Sequence, residues 1–234
     1  MWPSLLLVDK AKGITSFDVI RQLRIHYSKT HNGAKAPKLG HAGTLDPLAT
    51  GLMLVGVGSG TKGLSELIKL DKEYIADVLI GESRTTGDME GVVTEERVVE
   101  VGEEGGADFF EEKIRATLRT LCGQLTLPVS AYSAIKVGGV PMYKRARQAE
   151  LTGDTIINIP MRTMIVYEAE LLKLTIGGGR AVAQIRFMVG SGTYVRSLAE
   201  ELGRRLGYPA CLKDLRRTQV GEYRIENAVS VTEI

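Results

Sequence analysis

Short apolar runs and helical spacings alternate along the chain, and they predict a mixture of strands and helices. Residues 5–8 and 52–55 are four-residue apolar runs typical of buried strands. Between them, apolar positions recur every three or four residues over 17–25 and predict a helix, with Thr15 or Ser16 as its N-cap. Because the elements follow no regular βαβ period, the pattern favours an α+β fold over a doubly wound one.

The same patterns predict further elements later in the chain. A helix is expected to begin at Thr61, and residues 74–80 are typical of a strand. Asp108, followed by Glu111 three residues later, predicts a capped helix start. We expect that helix to bury a face formed by Phe109, Ile114, Leu118 and Leu121. Two strands and a helix complete the prediction, at 161–176, 181–189 and 193–206. In the second strand, the side chains of odd-numbered positions 183–189 are all apolar, which predicts alternating faces.

Composition narrows the class of protein. The chain has 234 residues, 44% apolar and 25% charged, which is typical of a folded globular protein with a sizeable core. No apolar run approaches the roughly 20 residues that a membrane helix needs. Two cysteines exclude a disulfide scaffold and a four-thiolate zinc site. The N-terminal sequence lacks the basic segment of a secretory signal. Because the low cysteine content indicates a reducing compartment, we expect the protein in the cytoplasm.

The net charge of +2 hides an uneven distribution of charged residues. Residues 1–45 carry +5 and residues 204–217 carry +4, whereas residues 82–113 carry −8. Basic segments of this kind indicate a polyanionic partner such as nucleic acid. An ordinary solvated surface explains the charges equally well, so charge alone leaves both interpretations open.

The segment 40–51 carries the strongest local signal for chemistry. It contains Asp46 directly before Pro47, which disfavours helical backbone at the aspartate, and glycines that permit tight reversals. The alternative is an ordinary Asp-Pro turn on the surface. Against that alternative, Leu45 and Leu48 predict a loop that is anchored in the core and holds the carboxylate in one place.

The segment 40–51 resembles the catalytic loop of the TruB-type tRNA pseudouridine synthases. Further segments match that family in its order, and together they span roughly residues 4–230: 10–16 (with Ala11 where the family has proline), 72–74, 132–147, 192–198 and 215–218. The resemblance implies the α+β pseudouridine synthase fold, with a mixed, mostly antiparallel central sheet and flanking helices. It implies one catalytic domain over residues 1–234, including an RNA-gripping thumb at about 124–152 but no complete C-terminal PUA domain.

The resemblance also implies a reaction. The family isomerises a uridine in the T loop of tRNA, at position 55, to pseudouridine by breaking the N1–C1′ bond and rejoining the base through C5. The uridine must be flipped out of the RNA fold to react. Asp46 matches the essential aspartate, Arg196 the arginine that pairs with it, and Tyr74 the tyrosine that stacks on the base. This redox-neutral isomerisation is expected to need no cofactor and no metal.

Further residues are assigned to RNA binding by the same resemblance. His41, Tyr194 and Leu215 are expected to contact the flipped nucleotide. The acidic stretch 95–108 is expected to face away from RNA. The thumb is expected to bind phosphates through Lys136, Lys144, Arg145 and Arg147.

Two other functions remain open at this stage. One is the catalytic subunit of a guide-RNA pseudouridylation particle, which shares the aspartate loop but usually depends on the C-terminal domain that is missing here. The other is a non-catalytic RNA-binding module on the same scaffold, which has no need of Asp46, Tyr74 and Arg196 together. For the enzyme we expect a monomer whose partner is the T stem-loop of tRNA, with no membrane association.

Overall fold

The computed structural model describes residues 2–102, 106–133, 135–152 and 159–234. The chain forms two compact units, and it passes between them several times. Three strands contribute residues to both units. The first unit contains Met1–Ala76, Arg186–Ser191 and Asp214–Ile234, and the second contains Asp77–Ile185 and Gly192–Lys213.

Strands and helices are intermixed along the described residues. The strands are β1 (Leu5–Lys10), β2 (Leu39–His41), β3 (Thr50–Val57), β4 (Lys72–Ile80), β5 (Glu82–Arg84), β6 (Val93–Glu96), β7 (Gly123–Pro128), β8 (Lys136–Val137), β9 (Val140–Pro141), β10 (Met161–Gly177), β11 (Arg180–Val189), β12 (Ala210–Val220) and β13 (Tyr223–Arg224). The α-helices are α1 (Ser16–Thr30), α2 (Leu64–Lys69), α3 (Gly106–Leu121), α4 (Met142–Thr152) and α5 (Val195–Leu206). Two short 3-10 helices occupy Gly58–Gly63 and Ile225–Asn227.

The first unit is built around β3, which is buried along almost its whole length. Its sheet runs in the order β1-β3-β12-β4. The strand β3 pairs antiparallel with β1 and β2, and it pairs parallel with β12 through Thr50 and Arg216. One buried core cluster of this unit consists of Ala42, Leu52, Leu54 and Val220.

The second unit has a sheet in the order β4-β11-β10-β7. The strand β10 pairs antiparallel with β7, and α3 packs against β10 and α5. Residues of β11, which continues into the first unit from Arg186, alternate in burial, with Ala183, Ile185 and Phe187 fully buried. That alternation was predicted from the sequence and is confirmed. The predicted α+β fold with a mixed, mostly antiparallel sheet is confirmed as well.

The helix α3 begins three residues earlier than a cap at Asp108 predicts. Because it starts at Gly106, Asp108 lies inside its first turn and is not the N-cap. The prediction that Phe109 belongs to the buried face was wrong, since its side chain is 75% exposed and Phe110 is buried instead. The helical period explains the change, because residue 110, and not its neighbour 109, lies one turn before Ile114.

The predicted start of a helix at Thr61 was also wrong, because the 3-10 turn Gly58–Gly63 precedes α2, which begins at Leu64. The strands predicted at 5–8, 52–55, 74–80, 161–176 and 181–189 are confirmed within two residues at each end. In the described part of the chain, no helix has the length and apolar character needed to cross a membrane.

Candidate active site

The Asp46 loop connects β2 to β3, two antiparallel neighbours in the sheet of the first unit. The chain leaves the sheet after His41 and re-enters it at Thr50. Leu45 and Leu48 are buried, with 4% and 7% of their surfaces exposed, so the predicted anchoring of the loop in the core is confirmed. Asp46 itself is half-buried between these two anchors.

Ser16 attaches the loop to the start of α1. Its hydroxyl accepts a hydrogen bond from the Leu45 N–H at 2.8 Å and donates one to the Leu45 carbonyl at 3.0 Å. The residue before Asp46 therefore has both backbone groups satisfied by one side chain. The sequence allowed either Thr15 or Ser16 as the cap of α1, and the structure assigns the cap to Thr15, which forms a capping box with Asp18.

Lys10, at the end of β1, holds the other side of the loop. Its side chain is 1% exposed, and its ammonium donates hydrogen bonds to the carbonyls of Ala49 at 2.5 Å, Ala11 at 3.0 Å and Pro47 at 3.3 Å. A buried ammonium is costly unless its three protons find acceptors. Two loop carbonyls and that of the neighbouring Ala11 provide these acceptors, so the lysine and the Asp46 turn fix each other.

Arg217, on β12, braces both ends of the loop and is 1% exposed. Its Nε donates to the Leu52 carbonyl at 2.7 Å, and its Nη2 donates to the Gly43 carbonyl at 3.3 Å. Gly51 has a φ of +103°, and a Cβ added at this position would overlap the Arg217 carbonyl oxygen. Only glycine allows the loop to re-enter the sheet so close to β12.

Three predicted substrate residues, His41, Tyr74 and Leu215, lie in the first unit together with Asp46. Tyr74 and Leu215 are each 7% exposed. Burial, together with the charge of Arg217, lowers the pKa of the His41 imidazole, which keeps it neutral at neutral pH. A neutral imidazole has one nitrogen that donates a hydrogen bond and one that accepts. His41 therefore offers this site a polar group without a charge.

Arg196 lies in the second unit, at the start of α5, where Tyr194 is the N-cap residue. The guanidinium is 5% exposed and donates to the carbonyls of Thr86 at 3.0 Å and Tyr132 at 3.3 Å. Its Nη1 lies 3.6 Å from Oδ2 of Asp88, which is 2% exposed. The arginine that the resemblance assigned to the active site is therefore buried and held by an acidic side chain and two carbonyls.

Sequence reasoning missed Asp88. It belongs to the acidic segment 82–113, and its spacing does not distinguish it from the exposed acids there. In the structure its Oδ1 accepts a hydrogen bond from the Thr86 hydroxyl at 2.5 Å and from the Glu90 N–H at 3.1 Å. Lys10 and Arg217 lie in segments that match the family, but the sequence assigned them no role. Their hydrogen-bond partners are backbone carbonyls, which every residue has, so the sequence does not identify these contacts.

The predicted thumb at about 124–152 includes β7 and the hairpin of β8 and β9, which turns at Gly138 and Gly139 and leads into α4. The helix is anchored by Met142 and Ala146, which are fully buried. Of the four predicted phosphate-binding residues, Lys136, Lys144 and Arg145 are exposed to solvent. The side chain of Arg147 lies outside the described part of the structure.

The predicted site residues thus fall into two groups by unit. Asp46, His41, Tyr74 and Leu215 belong to the first, and Arg196, Tyr194 and the thumb belong to the second. The first unit offers a carboxylate on a loop with many backbone hydrogen bonds, next in sequence to buried apolar anchors. Such a group is suited to act as a nucleophile or to stabilise a developing positive charge. The pairing of Asp46 with Arg196 stays a prediction.

Comparison with known proteins identifies the fold and the family of the chain. The architecture is that of the pseudouridine synthases: 97% of the chain superposes on an H/ACA RNP structure bound to a substrate RNA containing 2'-deoxyuridine, with a TM-score of 0.63 and 24% identity. An archaeal box H/ACA Nop10–Cbf5 complex gives a TM-score of 0.61 at 25% identity. The chain spans about half the length of these two proteins, 51% in each case.

Residues 29–195 match the family model described as TruB family pseudouridylate synthase, N-terminal domain. The chain belongs to the TruB family and is a pseudouridine synthase. Among its relatives, the tRNA pseudouridine synthase B of Fusobacterium nucleatum is 38% identical over 95% of this chain and 69% of its own length. The protein of that name from Thermobifida fusca is 37% identical over 100% of this chain and 75% of its own length. The one from Corynebacterium efficiens is 36% identical over 98% of this chain and 71% of its own length.

Proposed function

We propose that this protein isomerises uridine to pseudouridine in tRNA, at position 55 of the T loop. The tRNA substrate follows from the relatives, which are tRNA pseudouridine synthases B and which the chain matches over most of their length. The observation that carries the proposal is the Asp46 loop, whose backbone is held by Lys10, Ser16 and Arg217. A binding module has no need of so constrained a carboxylate.

The reaction needs only the atoms of the substrate and one carboxylate. The target uridine leaves the RNA stack and enters the site, at a cost of a few kcal/mol. With Asp46 acting at the sugar or the base, the N1–C1′ bond breaks, the uracil turns, and a C5–C1′ bond forms. C5 then loses its proton and N1 gains one, so the product is an isomer and the atoms balance.

The neighbouring side chains are proposed to hold the base. Tyr74 presents a ring for stacking and a hydroxyl for proton transfer, His41 acts as a neutral group beside the flipped nucleotide, and Leu215 closes the pocket with an apolar contact. Tyr194 is proposed to touch the substrate from the N-terminus of α5. Arg196 is proposed to pair with Asp46 and to oppose the desolvation of its carboxylate. The protein is proposed to work as a cytoplasmic monomer.

The test incubates the protein with an unmodified tRNA, and separately with its T-arm stem-loop, in the absence of any guide RNA. Pseudouridine is mapped along the product RNA. We expect conversion at position 55 by the wild type and none by Asp46→Asn, which keeps the shape of the side chain and removes its charge. Asp46→Ala provides a second control, and RNA binding by both variants is measured to establish that they are folded.

Each alternative predicts a different outcome of this test. Activity that appears only when a guide RNA is added would favour the subunit of a guided particle. Binding of RNA by the wild type without modification of any uridine would favour the non-catalytic module. Conversion of a uridine outside the T loop would refute the position but retain the reaction.

A further inference from the structure

A basic cavity of about 550 Å³ lies at the C-terminal end of α1, where the chain turns back towards β2. It belongs entirely to the first unit. Three of its lining side chains, Arg24, Lys35 and Lys38, carry positive charge. The rest of the lining consists of small residues and a proline: Ser28, Gly33, Ala34, Ala36 and Pro37.

The positive charges of this cavity are not neutralised by acidic residues nearby in the sequence, nor by any of the described ion pairs. Residues 19–45 contain no aspartate or glutamate. Arg24, Lys35 and Lys38 are exposed, and none of them forms an ion pair with a described residue. By contrast, Arg21 on the same helix pairs with Asp18. Unneutralised cations around one concave surface repel each other and favour an anionic occupant.

The wall of the cavity is held by hydrogen bonds and stacked rings. The Gly33 N–H donates to the Ser28 carbonyl at 2.8 Å, and the Ala34 N–H donates to the His31 carbonyl at 2.9 Å. The rings of Tyr27 and His31 stack with their centres 3.9 Å apart and an interplanar angle of 6°. A wall ordered in this way loses little conformational entropy when a ligand binds.

The cavity is connected to the Asp46 loop through β2. The Lys38 carbonyl accepts a hydrogen bond from the Gly58 N–H at 2.7 Å, and the next residue begins β2, which ends at His41. At about 3.3 Å per residue in a strand, Lys38 lies roughly 10 Å along the chain from His41. That distance equals about three nucleotide steps of a stacked strand. An anion in the cavity is therefore within reach of the strand that carries a uridine at the loop.

We propose that this cavity binds the phosphodiester backbone of the substrate RNA, a few nucleotides away from the uridine that reacts. This proposal rests on the proposed function, because it takes the occupant to be the same RNA. The cations would neutralise phosphates and release their counterions on binding. Such contacts position the RNA but read no sequence. A free phosphate-containing molecule offers the same chemistry, so the test includes inorganic phosphate.

The experiment compares two double variants that remove the same amount of charge. Lys35→Gln with Lys38→Gln neutralises the cavity. Lys29→Gln with Lys173→Gln neutralises two exposed lysines that neither line the cavity nor pair with a described acid. The dissociation constant of each variant for the T-arm stem-loop is measured over a series of salt concentrations. Single-turnover rates are then measured at saturating RNA.

We expect the cavity variant to bind about tenfold more weakly at low salt, with a salt slope that is about one to two units shallower. The matched variant should keep the slope of the wild type. The single-turnover rate of both variants should equal that of the wild type, because the Asp46 loop is unchanged. Equal losses in the two variants would overturn the proposal, since the effect would then be general electrostatic attraction.

Two further outcomes separate this proposal from the proposed function. If the wild type converts no uridine and the cavity variant alone loses RNA affinity and slope, the phosphate subsite stands and the reaction fails. If the wild type converts uridine and the cavity variant binds like the wild type, the reaction stands and the subsite fails. Saturable binding of inorganic phosphate that the cavity variant loses, with RNA binding unchanged, would assign the cavity to a small anion and also overturn the proposal.

Discussion

Individual side chains from other elements form hydrogen bonds with the backbone N–H and carbonyl groups around Asp46. The hydroxyl of Ser16 serves both backbone groups of Leu45, and the cations of Lys10 and Arg217 bind carbonyls of the loop. All three side chains are at most 3% exposed. Buried backbone groups that lose such a partner pay their full desolvation cost. The position of the carboxylate is therefore set by residues that do not touch the substrate in the proposed reaction.

Ser16→Ala should destabilise the protein and slow the reaction. The buried N–H and carbonyl of Leu45 would both lose their partner, which lowers the free energy of unfolding by about 1–3 kcal/mol. The matched control is Thr15→Ala, which removes the exposed N-cap of α1 and costs about 1 kcal/mol. Denaturant unfolding and kcat are measured for both. An unchanged kcat in Ser16→Ala would show that the loop holds its position without this hydroxyl.

Lys72 should make stability depend on pH in the alkaline range. Burial, reinforced by the charge of Arg217, lowers the pKa of this lysine from 10.5 to about 8, although its ammonium donates to the carbonyls of Ile68 and Leu70. Between pH 8 and pH 10.5 the folded protein has released the proton and the unfolded chain still holds it. Stability therefore rises with pH across this window.

The measurement compares the free energy of unfolding of the wild type with that of Lys72→Met at several pH values. The difference between the two proteins should shift in favour of the wild type by up to about 3 kcal/mol from pH 8 to pH 10.5. Other titrating groups cancel in this comparison. A difference that stays constant across the window would mean that the lysine titrates at its ordinary value in the folded protein.

Arg196→Lys should not preserve activity. A planar guanidinium donates to Thr86 and Tyr132 at once while it faces Asp88, and a single ammonium does not reproduce that geometry. We expect kcat to fall more than about tenfold, with most of the RNA affinity retained. Arg204→Lys, on the exposed side of the same helix, is the control. Near-normal turnover in Arg196→Lys would refute the proposed role of the guanidinium.

Among the elements, β12 supports the end of the Asp46 loop, and its sequence does not predict this role. It runs parallel to β3 at the point where the loop ends, pairing Arg216 with Thr50 and Arg217 with Gly51. The close approach requires a residue without a side chain at position 51. The pairing of β3 with β12 therefore helps to position the Asp46 loop. A substitution at this contact is expected to affect the site although the substituted residue does not contact Asp46.

Gly51→Ala should lower the free energy of unfolding more than Gly123→Ala, although the two glycines have similar backbone conformations. Gly123 has a φ of +106° and open space around the position of an added Cβ, whereas Gly51 has a φ of +103° and meets the Arg217 carbonyl. Both alanines pay about 1–2 kcal/mol for the left-handed backbone. Gly51→Ala should cost a further 1–3 kcal/mol, roughly, from overpacking. Equal loss of unfolding free energy in the two variants would contradict a steric role for the contact.

How far the sequence predicted the elements depended on how local their cause is. The alternation in β11 and the capped start of α1 are set by neighbours in the chain, and both were predicted. The buried face of α3 was wrong at Phe109, because residue 110 lies one helical turn before Ile114, and the start of the helix was misplaced as well. Helix ends depend on cap geometry and on packing, which the apolar period alone does not determine.

At the scale of the whole molecule, the predictable part of the site was the loop, and the unpredictable part was its support. Asp46 and its apolar anchors are adjacent in sequence, so their pattern was visible. Arg217 lies 165 residues from Leu52 and 174 from Gly43, and it contacts their carbonyls. Every residue has such a carbonyl, so no residue type at these positions reveals the contact. The sequence did not predict the burial of Asp88 either, because nothing about its position distinguishes it from the exposed acids of the same segment.

The first unit also has a consequence for how the protein is made. Its parts are distant in the sequence: Met1–Ala76, Arg186–Ser191 and Asp214–Ile234. During translation, the Asp46 loop leaves the ribosome long before Arg217 has been synthesised. The Arg217 contacts to the Leu52 and Gly43 carbonyls form only after residue 217 has left the ribosome, so until then the loop is held by Lys10 and Ser16 alone among these three side chains.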